Sequence, residues 1–123
     1  MGYDLHVVRT ENWFDAATNP VTKAEVDRLV SQDDSLAWSA TDYVEMSDDD
    51  GAVTRYYLIC WKSEPVFWWY RSEITCNNPN ESQVLKLLEI AEVLGAMLVG
   101  DDCERYERGK SLFGRPKVVI RQL

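Results

Sequence analysis

The chain of 123 residues holds a single histidine, His6, two positions from Asp4 in the stretch YDLHVVR. Residues two apart on a strand share a face, so this spacing puts a carboxylate beside a proton carrier. A catalytic histidine needs such a carboxylate or a nucleophile within reach. Asp4 offers the first in a weak form, and a lone histidine in a strand is more often structural. The patterns GxSxG, HExxH, GxGxxG and the P-loop do not occur. Gly109 and Gly114 stand too far apart to suggest a phosphate cradle. No catalytic set is read here; the expectation is a protein that is not an enzyme and uses no cofactor.

Two acidic clusters are the next candidates. Asp48, Asp49 and Asp50 precede Gly51. A calcium loop of the EF-hand type needs acids at alternate positions before that glycine, and Met46 occupies one of them. Asp101, Asp102 and Glu104, followed by Glu107, form the second cluster, with Arg105 and Arg108 close behind. No metal site is expected from either. The three cysteines, Cys60, Cys76 and Cys103, are odd in number, widely spaced and lack a CxxC, so neither a disulfide framework nor a zinc site is expected. As charge, the clusters matter more. Carboxylates on exposed loops steer a basic protein toward a surface and pair with its Arg and Lys.

The third feature is apolar. EPVFWWYRSEIT, residues 64–75, runs five bulky apolar side chains together, Val66 to Tyr70. On a strand Val66, Trp68 and Tyr70 share one face, and Phe67 and Trp69 the other. Strand 53–61 likewise has Tyr57, Ile59 and Trp61 on one face and Tyr56, Leu58 and Cys60 on the other. This exceeds what one small core needs. Something covers the second face: the loops carrying Trp13, Phe14 and Trp38, a second copy of the chain, or another protein.

The elements that position these groups follow from periodicity. Strands are predicted over 3–9, 36–40 with 43–46 (one bent strand or two short ones), 53–61 after an Asp50-Gly51 turn, 66–71 after a turn over 62–65, 96–100 and 115–123. Thr22 to Glu25 fits a capping box that opens a helix ending near 33. Residues 78–95 form the most regular helix, with Asn78 as its N-cap, Pro79 at N1 and Gly95 closing it. Residues 100–111 read as a polar loop or short helix. The fold class is therefore α+β: a mainly antiparallel sheet of five to seven strands with two helices packed on one face, in a single domain spanning 1–123.

Net charge is −8 and the sequence pI about 4.6. That excludes direct nucleic-acid binding and an anionic membrane surface as first choices, since both need clustered Lys and Arg. No stretch reaches the ~20 apolar residues of a membrane span, and the N-terminus lacks a basic leader. A cytoplasmic protein with a basic partner fits this balance.

The stretches YDLHVVR, NPVTKAEV, PVFWWYRSEIT and NPNESQVLKLLEIAEVLGAMLVGDD together resemble a group of small bacterial proteins. Those begin with a YDLHITRA-like strand, continue through an NPIT-EEW helix and an FWW segment, and end with an IAEALGA helix followed by GDDGE. The likeness covers most of residues 2–104. This chain departs from the pattern at Val26, where a Trp is usual, and at Cys103-Glu104. Several such proteins look like immunity proteins of polymorphic toxin or contact-dependent inhibition systems. The resemblance carries over no functional residue. It implies a protein that binds and neutralises a cognate toxin domain, a basic nuclease being one such target, by occluding its active site.

On residue chemistry the partner-binding candidates are Asp48, Asp49, Asp50, Trp68, Trp69, Tyr70, Asp101, Asp102 and Glu104. Two alternatives stand beside this reading. One is a small-molecule-binding domain or enzyme with an aromatic-lined pocket containing His6 and an acid from 101–104. The other is a homodimer that pairs through the aromatic face. A concave pocket holding His6 would favour the former, and a convex acidic face would disfavour it.

Overall fold

Alternation of apolar and polar residues builds one antiparallel sheet, and it has eight strands rather than five to seven. The computed structural model describes residues 3–47, 51, 53–110 and 116–121. In chain order the elements are β1 (Asp4–Val8), a 3-10 segment (Trp13–Thr18), α1 (Lys23–Gln32), β2 (Leu36–Ser47), β3 (Val53–Trp61), β4 (Glu64–Tyr70) and β5 (Glu73–Asn77). Then come α2 (Glu81–Leu94), β6 (Met97–Gly100), β7 (Arg105–Lys110) and β8 (Pro116–Arg121). The spatial order is β2-β3-β4-β5-β1-β6-β7-β8. The aromatic strand β4 is therefore interior. Asp48, Asp49 and Asp50, with the turn expected there, lie outside the described residues.

The extra strands have physical reasons. Residues 105–110 were expected as loop or helix because, between Arg105 and Lys110, only Tyr106 is apolar. They form β7 because β6 and β8 hydrogen-bond to it on both sides. β5 alternates Ile74 and Cys76 against Glu73, Thr75 and Asn77, too short a run to stand out. β2 is one strand with a register shift between Trp38 and Tyr43. The turn before β4 is shorter than 62–65: Trp61 faces Glu64, and Lys62 and Ser63 alone make the loop, both with positive φ, as a two-residue hairpin of the primed type requires.

Thr22 caps α1 through the expected box with Glu25. For α2 the cap is Asn80, with Gln83 completing the box, instead of Asn78. Asn78 is engaged elsewhere: its backbone N–H donates to the Tyr3 carbonyl, and its side chain accepts from Tyr3 N–H at 2.9 Å. Gly95 closes α2 in the left-handed region at φ 62°.

One face of the sheet is the main core. Leu5 and Val7, Ile59, Phe67, Ile74, Cys76 and Leu98 meet Val26 and Leu29 of α1 and Val84, Leu87, Leu88, Ile90, Ala91 and Leu94 of α2. Each large side chain fully buried there contributes ~1.5–3 kcal/mol over leaving it in water. Trp69 belongs to this face and donates its indole N–H to the Val21 carbonyl at 2.9 Å. Trp38, expected over the second face, also packs on this core. Lys86 of α2 is buried among these groups (7 % exposed) and paired with Asp33 at 2.6 Å. Arg9, just past β1, ties the layers. It donates to the Pro20 carbonyl, to the Leu94 carbonyl at the end of α2 and to Glu25 at the start of α1. Among the described residues, no helix is long and apolar enough to cross a membrane.

Candidate functional site: an aromatic cavity on the open face

The other face of the sheet answers the question raised by the five-residue apolar run. Strand pairing places Leu58, Trp68, Thr75, His6 and Val99 side by side in one row across β3, β4, β5, β1 and β6. The 3-10 segment covers one end of this face, where Val8, Ala16 and Val99 pack with Trp13 and Met97. Beside that cover the face is open. There a cavity of about 500 Å³ is lined by Asp4, His6, Trp13, Tyr56, Leu58, Trp68, Tyr70, Glu73, Thr75 and Asp101.

His6 organises its floor and is only 3 % exposed. Its Nδ1 lies 2.7 Å from Glu73 Oε1 and its Nε2 2.8 Å from Asp101 Oδ1. A carboxylate only accepts, so wherever both carboxyls are ionised each ring nitrogen must carry a hydrogen, and the pair favours the imidazolium form. Burial alone would push its pKa down. The bonds to Glu73 and Asp101 outweigh that and raise it above the ordinary 6.5. The Trp13 ring stacks on His6 with centroids 4.3 Å apart and planes 4° apart, a cation–π arrangement. Phe14 stacks outward on Trp13 and is 70 % exposed.

Asp101 comes from the β6–β7 turn and is held from three sides. It bonds His6, accepts the Asp4 backbone N–H through Oδ2, and offers its carbonyl to the Trp13 indole at 3.1 Å. Glu73 Oε1 also accepts from the Thr75 hydroxyl at 3.0 Å. Asp4 accepts from the Asn77 side chain at 2.7 Å. Across the mouth, Tyr56 and Tyr70 stack at 4.1 Å.

Of the residues expected to bind a partner, the fold brings Trp68, Tyr70 and Asp101 together at this cavity. Of the remaining candidates, Asp48, Asp49 and Asp50 lie outside the described residues, and the other three stand apart from the cavity. Trp69 faces the helices. Asp102 is exposed beside the cavity residue Asp101. Glu104 is 5 % exposed and accepts a hydrogen bond from the Tyr3 hydroxyl. A Cβ on Gly100 would lie 1.3 Å from Glu104 Oε1, so a side chain there would require that carboxylate to move.

Glu73 and Thr75 had no functional signal in the sequence, whereas Trp13, Tyr56 and Leu58 stood out only as surplus apolar residues at the second face. Glu73 and Thr75 alternate with Ile74 and Cys76, which marks their face but not their neighbours. Those depend on which strands pair.

Both His6 nitrogens are held by carboxylates, Nδ1 by Glu73 and Nε2 by Asp101. Among the described residues no group of three or more His, Cys, Asp or Glu is arranged to hold a metal ion. Cys76 is buried, and its thiol is pushed up to about 12 by that burial, so it is no nucleophile at neutral pH. No protein-family model matches this chain, and no curated protein and no solved structure matches it.

Proposed function

We propose that this chain is an immunity-type binding protein that captures a basic toxin domain encoded beside it and occludes that domain's active site. The observation that carries the reading is the convergence of Trp68, Tyr70 and Asp101 in one recess of the open face. Interface hot spots are pockets of this kind, aromatic walls with a few carboxylates, in which a partner's anchor residue is fully desolvated. The overall charge of −8 speeds encounter with a basic partner. Three of the stretches that carry the resemblance to immunity proteins supply lining residues: YDLHVVR gives Asp4 and His6, PVFWWYRSEIT gives Trp68, Tyr70, Glu73 and Thr75, and the GDD end gives Asp101.

The test is calorimetry of the purified chain with the toxin domain encoded next to it, alongside an assay of that domain's activity. The reading expects a one-to-one complex with a Kd of order nanomolar or tighter and loss of toxin activity. A neighbouring toxin that neither binds nor loses activity overturns it.

A second reading, a small-molecule-binding domain, is favoured by one observation. The cavity is concave, contains His6, and its volume of about 500 Å³ falls in the usual range for small-ligand sites.

A further inference from the structure

We propose that the open-face cavity is a guanidinium site whose occupant is an arginine side chain of the protein partner. The inference rests on the binding reading above and gives it a chemistry. Among the described residues three carboxylates line the cavity, Asp4, Glu73 and Asp101, against at most one cation, His6, leaving at least two net negative charges. No Lys or Arg is among the described residues that line it. An anionic or neutral polar guest would meet uncompensated repulsion or desolvation there, and a cation offsets both.

The walls favour a planar, delocalised cation over a compact one. Trp68 and Tyr56 present rings, Tyr70 being already stacked on Tyr56 and covered by Arg71, and a guanidinium stacks on aromatic faces with little loss of hydration, whereas an ammonium keeps its water. The chain already makes this contact at the rim. The Arg71 guanidinium carbon stands 5.0 Å over the Tyr70 ring. Arg71 is exposed and outside the cavity, so it shows that the wall accepts this group without filling the recess. Acceptors remain for the fork of N–H donors. Both bonds to Glu73, from His6 and Thr75, go to Oε1, and Oε2 takes none from the described residues.

The experiment uses two capped single amino acids, N-acetyl-arginine methylamide and its neutral isostere N-acetyl-citrulline methylamide. Both are titrated into the full chain while the indole N–H resonances of Trp13 and Trp68 are followed by NMR. The arginine probe should give saturable shifts at those two indoles, weakened at high salt, and the citrulline probe at least about tenfold weaker binding. Asp4→Asn, which removes charge at the edge of the site, should weaken the arginine probe about two- to fivefold. Trp68→Leu, checked for folding by circular dichroism, should abolish its saturation.

Equal shifts with both probes, or arginine shifts confined to resonances away from the cavity, overturn the inference. Binding of the free probe by a chain that captures no toxin domain would overturn the partner as the source of the arginine. Failure of the probe with a toxin complex that still depends on Trp68 would overturn the guanidinium chemistry and leave the binding reading standing.

Discussion

The Trp13 ring lies on His6, 4.3 Å between centroids and 4° from parallel, so a residue of the 3-10 segment roofs a charge buried in the sheet. This contact joins a local element to the cavity floor. It also explains why a single imidazolium is tolerated at 3 % exposure: two carboxylates pair it and an aromatic face covers it.

Trp13→Ala should therefore cost stability as well as shape. It removes the stack, the indole bond to the Asp101 carbonyl and the packing on Val8 and Val99. A loss of about 2–3 kcal/mol is expected, below the cost of a fully buried tryptophan because the ring is partly exposed. Urea unfolding measures it. A change under about 0.5 kcal/mol would mean that the roof bears no structure.

His6 sets a pH dependence with a definite sign. Its pKa is higher folded than unfolded, so its stabilising contribution is fully present below the unfolded value near 6.5. It is lost as pH rises through the folded value. Unfolding free energy should fall as pH rises above 6.5, and His6→Asn should flatten that slope. NMR titration of the imidazole ring gives the folded pKa directly; a midpoint at or below 6.5 would refute the clamp.

Arg9 and Glu25 give the opposite sign at acid pH. Hydrogen bonding from Arg9 holds the Glu25 carboxyl at about 2. A depressed carboxylate stabilises above its unfolded pKa, and the gain is lost as pH falls from about 4.5 toward 2. Arg9→Met should reduce this acid-side slope, the bonds from Thr22 to Glu25 keeping the remainder. It should cost about 1–2 kcal/mol near neutrality, solvent screening of the partly exposed pair included. An unchanged acid limb in chemical denaturation would contradict it.

Gly100→Ala should displace the Glu104 carboxylate from the Tyr3 hydroxyl, because the new methyl needs the same space. The expected cost is about 1–3 kcal/mol. Glu104→Gln in the same background should not recover it, since the clash is steric. Stability equal to wild type in Gly100→Ala would show that the carboxylate moves without penalty.

How much of this was readable beforehand follows from particular residues. The capping box at Thr22, the stripe of α2 and the alternation of β1 and β3 are local signals, and they placed those elements. β7 carries no local signal, since Tyr106 is its only core-facing apolar side chain, and its neighbours make it a strand. The split of the aromatic run was legible except at Val66, expected on the Trp68 face but packed on the main core beside the register shift between Ile59 and Cys60. Period two separates Trp68 from Trp69, and the structure puts Phe67 and Trp69 against the helices. The cavity was not legible. Its floor joins residues 6, 73 and 101, whose meeting depends on β1 inserting between β5 and β6, a long-range choice that no window of sequence contains. Glu104 illustrates the same limit: an acid in a polar run reads as surface, yet Tyr3 buries it.

The most direct test uses the two adjacent tryptophans that face opposite sides of β4. The affinity of the chain for its co-encoded toxin domain should be measured for wild type, Trp68→Ala and Trp69→Ala, with the stability of each recorded in parallel. The account predicts that Trp68→Ala weakens binding at least about 100-fold, as loss of a hot spot does. Trp69→Ala should lower stability by about 2–4 kcal/mol and, wherever it remains folded, change the Kd by less than about threefold. Unchanged binding in Trp68→Ala, or a larger loss in folded Trp69→Ala, would contradict the open-face cavity as the binding site.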